Sequence, residues 1–188
     1  ELEKNDGENS LHSGSQAYFR RMWKAVIVDD NKIEFSLHSP DGDQGFPGNA
    51  DITVSYTLSD ENELLISYQA KADQDTVFNL TNHSYFNLDG QESDNVLGQT
   101  AWIDADEFTP SVGMIPTGEI RPVDGTPMDF RTPTVLGERI DDDYEPLRLA
   151  SGYDHNYVMK REGEYTLCAS LSSEESGILM EVYTDAPG

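Results

Sequence analysis

Four histidines, at positions 12, 38, 83 and 155, are the groups in this 188-residue sequence best suited to moving protons near neutral pH. An unperturbed imidazole titrates at about 6.5. Two of the four stand outside plain strand pattern. His12 occurs in Asn9-Ser10-Leu11-His12-Ser13-Gly14, and His83 in Asn79-Leu80-Thr81-Asn82-His83-Ser84-Tyr85-Phe86-Asn87-Leu88. The second segment crowds amides, hydroxyls, an imidazole and two aromatic rings together. Burying that mixture for structure alone is expensive, because each polar group then needs a partner. It suits the lining of a sugar pocket, where hydroxyls need fixed donors and acceptors and the C–H face packs on an aromatic ring. The competing reading of His83 is a histidine that holds neighbouring loops by hydrogen bonds.

Asp154 and His155 stand in Ser151-Gly152-Tyr153-Asp154-His155-Asn156-Tyr157. A carboxylate between glycine and aromatics can fix two adjacent hydroxyls, but an Asx turn is the simpler account of the same pattern. His38, in Ser36-Leu37-His38-Ser39-Pro40, reads as a surface or structural residue at a strand end. His12, His83, Asp154 and His155 are possible metal ligands, yet no His-x-His, HExxH or cysteine-cluster spacing occurs, so a catalytic metal is not expected. A serine hydrolase would need a Gly-x-Ser-x-Gly elbow, which is absent. A glycosidase needs two carboxylates facing one bond, and nothing singles out a pair among 36 acidic residues.

Those 36 acids face 12 basic residues, a formal net charge of −24. A surface so negative repels nucleic acid and anionic lipid, and it disfavours a phosphorylated ligand, whose site would need local Arg or Lys. The plain reading of the charge is a solvated acidic surface; a sharper one is adaptation to salty surroundings, where screening removes the self-repulsion. Cys168 is the only cysteine, which excludes an intramolecular disulfide, and it reads as a small core residue. No stretch reaches the ~20 apolar residues of a membrane helix, and no signal peptide is visible. A cytoplasmic location is expected, with a periplasmic or secreted parent left open because the chain starts without a methionine.

The elements that must position these groups are strands. Ile33, Phe35 and Leu37 alternate with polar residues, as do Ile52, Val54, Tyr56 and Leu58, and Leu64, Ile66 and Tyr68. So do Leu167, Ala169 and Leu171, and Ile178, Met180 and Val182. Period two sends side chains to two faces of a strand in turn. Turn clusters at Ser39–Asp43, Leu88–Gln91, Val123–Pro127 and Arg161–Glu164 separate the runs. Such spacing predicts an all-β, antiparallel β-sandwich or barrel. A short helix near Val135–Ile140 is the best helical candidate. Residues 1–188 read as a single domain, and a strand followed at once by Pro187-Gly188 suggests an internal segment of a longer one.

Several segments together resemble the aldose 1-epimerase (galactose mutarotase) family. Leu11-His12-Ser13-Gly14 resembles the family's Leu-His-Gly-Gly, with Ser13 in place of the first glycine. Tyr18-Phe19-Arg20-Arg21-Met22-Trp23 is similar to the family's run ending in tryptophan, and Gly45-Phe46-Pro47-Gly48 to its Gly-Phe-Pro-Gly turn. Thr81–Leu88 resembles the family's most characteristic motif. Ile115–Ile120, Met128–Arg131, Gly152–Asn156, Glu181–Thr184 and Pro187-Gly188 resemble later landmarks in the right order.

The resemblance implies a large antiparallel β-sandwich of the galactose mutarotase-like supersandwich type, incomplete in this chain. It implies interconversion of the α and β anomers of free hexoses such as galactose and glucose, without cofactor or metal. By matched position His83 would be the general acid and His12 would hydrogen-bond the sugar near the ring oxygen. Ser84 and Tyr85 would line the sugar site, and Asp154 would bind hydroxyls. The family's basic glutamate and a substrate-binding arginine match no position here, so the segment alone is expected to be inactive. The alternatives are a non-catalytic sugar-binding or regulatory module on the same scaffold, a hexose-6-phosphate 1-epimerase, and an accessory sandwich of a glycoside-processing enzyme. No nucleic-acid or membrane partner is expected.

Overall fold

The structure, a computed structural model, describes residues 1–113, 115–161 and 163–188. Glu162, within the turn cluster Arg161–Glu164, lies outside the described residues. The chain forms two compact units, Glu1–Ser84 and Tyr85–Gly188.

The first unit is built on a four-stranded antiparallel sheet of β1 (Lys24–Asp29), β2 (Lys32–Ser39), β3 (Ala50–Leu58) and β4 (Leu64–Ala72), paired in chain order. The alternating runs predicted as strands lie on β2, β3 and β4. Register places Phe35 opposite Val54 and Tyr56 opposite both Ile33 and Ile66, so apolar residues share a face across the sheet. Phe35 and Tyr56 meet edge to face at 6.0 Å, an arrangement the ring quadrupoles favour. Ile52 and Ala50, two apart on β3, are both buried, as is Ala17 in the preceding loop. His38, at the end of β2, is exposed and its Nδ1 lies 2.8 Å from Asp51 Oδ1 on the neighbouring strand. This is a surface pairing of the kind its sequence context predicts.

The second unit holds shorter strands: β5 (Thr100–Ile103), β6 (Glu107–Thr109), β7 (Ser111–Val112), β8 (Ile115–Pro116), β9 (Arg121–Pro122), β10 (Thr134–Val135), β11 (Asn156–Val158), β12 (Thr166–Ser172) and β13 (Leu179–Thr184). They form antiparallel sheets in the orders β10-β5-β12-β13, β11-β6-β9 and β7-β8. Phe108, Val123, Met128 and Leu147 make its core, with Tyr144, Tyr153 and Tyr157 packed against them. Cys168 is buried on β12, where its thiol reaches the Val182 carbonyl at 3.2 Å and burial pushes its pKa up.

The structure differs from the sequence reading in its helices. Val135–Ile140 yields only a 3₁₀ turn at Leu136–Glu138, and the one α-helix among the described residues, α1 (Glu145–Ala150), lies outside the segment the sequence predicts as helical. Helix α1 has Pro146 in its first turn, a position where proline's missing N–H is harmless, and ends on Ser151 in the left-handed region, whose N–H returns to the Leu147 carbonyl. No helix among the described residues is long and apolar enough to cross a membrane.

Candidate sugar site

His12 sits in a loop with unusual backbone. His12, Ser13 and Gly14 have φ of 49°, 67° and 99°, three successive residues in the left-handed region. For the first two this is uncommon, and such conformations persist only where the surroundings hold them. Gly14 suits its φ of 99°, and a Cβ there would lie 2.5 Å from the Gln44 Oε1, so that side chain would have to move.

The loop turns the exposed His12 ring between two others. It meets Phe19 edge to face at 6.2 Å and His83 edge to face at 5.5 Å, with an interplanar angle of 81° to the latter. Two of the sequence-predicted site residues, 12 and 83, are thus brought together in the first unit. Arg20 lies over the Phe19 ring, 5.5 Å from its centre. His83 is placed by Asn82. The Asn82 amide oxygen accepts the Ser84 N–H at 3.1 Å, folding the chain into a tight turn around His83. Its amide nitrogen donates to the Tyr56 hydroxyl on β3 at 3.3 Å, tying that turn to the sheet. An Asn side chain mimicking a backbone turn is ordinary Asx chemistry. Here it leaves the imidazole, Ser84 and the neighbouring side chains exposed.

Behind His12 lies a cavity of about 280 Å³. His12 and Ser13 line it with Tyr18, Ser39, Phe46, Pro47, Thr76, Phe78, Asn79 and Leu80, among others. The size is close to the ~300 Å³ at which small-molecule pockets begin, and the mixture of rings with a few polar groups is typical of them. The wall is braced by an ion pair. Arg21 donates to both carboxylate oxygens of Asp43, at 2.5 and 2.9 Å, and the Ser39 hydroxyl donates to the same carboxylate at 2.5 Å. The Arg21 guanidinium, with Ser39 in support, holds the Asp43 carboxyl below the usual carboxylate range. Arg21 also stacks over Tyr18, 5.2 Å from its ring centre. The sequence does not single out Tyr18, Phe46 or Phe78 individually; the first two lie inside segments that resemble the family's, and Phe78 carries no signal beyond its nearness to the Thr81–Leu88 motif.

The other predicted residues belong to the second unit. Tyr85 opens it and is 89% exposed. The tail of the same motif does structural work. Gln99, fully buried, donates to Asn87 Oδ1 at 2.8 Å and to Asp89 Oδ2 at 3.0 Å, and Ser173 donates to the other Asp89 oxygen. These bonds, that from Ser173 first, hold the Asp89 carboxyl below its ordinary range. Asn87 therefore serves as an anchor for the loop rather than as an exposed ligand.

Asp154 is exposed on the turn that leads into β11. Among the described residues no group donates to its carboxylate, so the Asx turn that would account for it structurally is not formed. The flanking aromatics fix this turn to the core. The Tyr153 hydroxyl donates to the Pro127 carbonyl at 3.3 Å and the Tyr157 hydroxyl to the Met128 carbonyl at 3.0 Å. Burial raises both phenol pKa values, so both stay protonated donors. His155 points inward, edge-on to Phe108 at 5.6 Å, while its Nδ1 accepts the Asp154 N–H at 3.3 Å. Its Nε2 is buried without a partner among the described residues, and burial lowers its pKa. Among the described residues no three His, Cys, Asp or Glu side chains gather closely enough to hold a metal ion.

Comparison with known proteins agrees along the whole sequence. The chain matches the family described as aldose 1-epimerase over residues 1–188. It is 45% identical to a galactose mutarotase of Sus scrofa over 98% of its own length and 52% of that protein's. It is 40% identical to an aldose 1-epimerase of Escherichia coli, covering 99% of itself and 54% of that protein. Among solved structures, a GalM/aldose epimerase homologue from C. elegans superposes with a TM-score of 0.82 at 33% identity, covering 94% of this chain and 53% of that one. A galactose 1-epimerase from Lactobacillus acidophilus superposes with a TM-score of 0.78 at 29% identity, covering 90% and 50%. The chain spans about half the length of the curated relatives it matches. A sequence that carries the family's pattern from end to end, on antiparallel sheets like those of these two structures, belongs to the aldose 1-epimerase family.

Proposed function

We propose that the full-length protein interconverts the α and β anomers of free aldoses, hexoses such as galactose and glucose, by acid–base opening of the ring. The observation that carries this is the pairing of the His12 and His83 rings beside the cavity that His12 lines. The chain's resemblance to proteins named galactose mutarotase and aldose 1-epimerase supports the same chemistry.

In this reading His83 gives its proton to the endocyclic oxygen as the anomeric hydroxyl loses one to a carboxylate on the other side of the sugar. The C1–C2 bond turns, and reclosure reverses both transfers. An imidazole is suited to both directions because its ordinary pKa lies close to neutrality. His12 holds the sugar near the ring oxygen, Ser84 and Tyr85 line the site, and Asp154 binds hydroxyls remote from C1. Firm contact with those hydroxyls and loose contact at C1 let both anomers fit. The carboxylate base implied by the family pattern is a glutamate that falls on none of these 188 positions.

The test is polarimetry of freshly dissolved α-glucose and α-galactose with the full-length protein. Faster mutarotation than the buffer rate is expected. Sugar binding without acceleration would replace the enzyme by a sugar-binding module. A net charge of −24 disfavours a phosphorylated sugar, so glucose 6-phosphate run alongside should be the poorer substrate.

A further inference from the structure

The left-handed run through His12 is held at both ends by amide side chains that bind the backbone on either side of it. Before the histidine, Asn5 binds Leu11 twice: its Oδ1 accepts the Leu11 N–H at 2.7 Å, and its Nδ2 donates to the Leu11 carbonyl at 2.9 Å. After it, Gln44 binds Gln16 in the same way, Oε1 accepting the Gln16 N–H at 2.8 Å and Nε2 donating to the Gln16 carbonyl at 3.0 Å. Each amide satisfies both polar groups of one residue, as a neighbouring strand would. Gln44 itself has a φ of 51°, lies in the turn before Phe46 and Pro47, and accepts the Glu3 N–H on its own carbonyl at 2.9 Å. Glu3 in turn accepts the Ser15 N–H at 3.3 Å. Within the loop, the Gly14 N–H closes onto the Leu11 carbonyl at 3.0 Å.

We propose that Asn5 and Gln44 are positioning residues: a pair of amide clasps that fix the Leu11–Gln16 loop so that the His12 ring stays seated against His83 beside the cavity. The inference rests on the proposed role of His12 at the sugar. Three consecutive left-handed residues do not persist unaided in an exposed loop, because the first two have a Cβ that opposes that conformation. The clasps supply what the local sequence lacks. An amide is the side chain that fits, since it offers a donor and an acceptor in one plane; a carboxylate keeps only the acceptor.

The test compares Asn5→Ala, Gln44→Ala and the conservative Asn5→Asp and Gln44→Glu in the full-length protein. Ring resonances of His12 in a ¹H–¹⁵N or ¹H–¹³C correlation spectrum should shift or broaden in the alanine variants and less in the conservative ones. In mutarotation, each alanine variant should lower kcat/KM by about 10- to 100-fold, the scale of a misplacement of about an ångström. Added to His12→Ala, neither should lower it further, whereas a purely structural loss would multiply. Unchanged His12 resonances, unchanged kcat/KM in Gln44→Ala while His12→Ala is impaired, or multiplying losses would each overturn the clasp. If His12→Ala leaves mutarotation intact, the sugar role of His12 fails instead, and the clasp is judged on the spectra alone. Should the alanine variants fail to fold, Gln44→Glu and Asn5→Asp carry the same comparisons.

Discussion

The His12 and His83 rings meet edge to face, 5.5 Å between centres, although 70 residues of chain separate them in the sequence. Each is turned outward by a different local device, a left-handed loop for one and an Asn82 turn for the other. If His83 is the acid that protonates the ring oxygen, His83→Ala or His83→Gln should lower kcat by about 10²- to 10⁴-fold, the usual worth of a placed acid. KM should change far less. Polarimetry over a range of sugar concentrations separates the two, and an unchanged kcat would remove His83 from that role.

Asp154 makes the contrasting case. Its carboxylate is exposed and accepts no hydrogen bond among the described residues, while Tyr153 and Tyr157 secure the turn from either side. Asp154→Ala should therefore leave the unfolding temperature nearly unchanged and, if the carboxylate binds hydroxyls as proposed, raise KM substantially. A fall in stability with KM untouched would assign Asp154 to the turn.

How much of this was legible beforehand depended on length and periodicity. Period-two runs long enough to read became β2, β3, β4, β12 and β13. Strands β7 to β10, two residues each, are too short to carry a period. Helix α1 buries only Pro146 and Leu147, so it shows no apolar stripe. At the site, residue types and family resemblance pointed to His12, His83 and Asp154. Nothing in the sequence told that His12 and Ser13 adopt positive φ, because only Gly14 advertises it. Nor could spacing reveal Asn5 and Gln44 as its supports, since their role exists only once the loops are folded together.

The motif around His83 reads from its residue types as pocket lining, but its tail is tied into the fold. Gln99 satisfies Asn87 and Asp89 from a fully buried position. Gln99→Ala removes the donor to Asp89 Oδ2 and one of the two donors to Asn87 Oδ1, which keeps the Asp89 N–H at 3.1 Å, a loss of about 1–3 kcal/mol. Calorimetry should show a lower unfolding temperature. An unchanged value would mean that water replaces the amide.

His155 gives the fold a pH dependence whose sign follows from its surroundings. Its ring lies against the buried Phe108, and burial lowers its pKa from 6.5, with Asp154 opposing in part. The folded chain thus resists the proton that the unfolded chain accepts. Stability from this group is fully present above the unfolded pKa and is lost as pH falls from there through the folded value. Neutral imidazole also keeps Nδ1 free to accept the Asp154 N–H, so protonation would loosen the turn that carries Asp154. Urea unfolding of the wild type and of His155→Gln, at several values between pH 7.5 and pH 5, isolates the contribution as the difference between the two. The wild type should lose stability relative to the variant as the solution is acidified. A constant difference across that range would show that His155 stays accessible enough to be protonated in place.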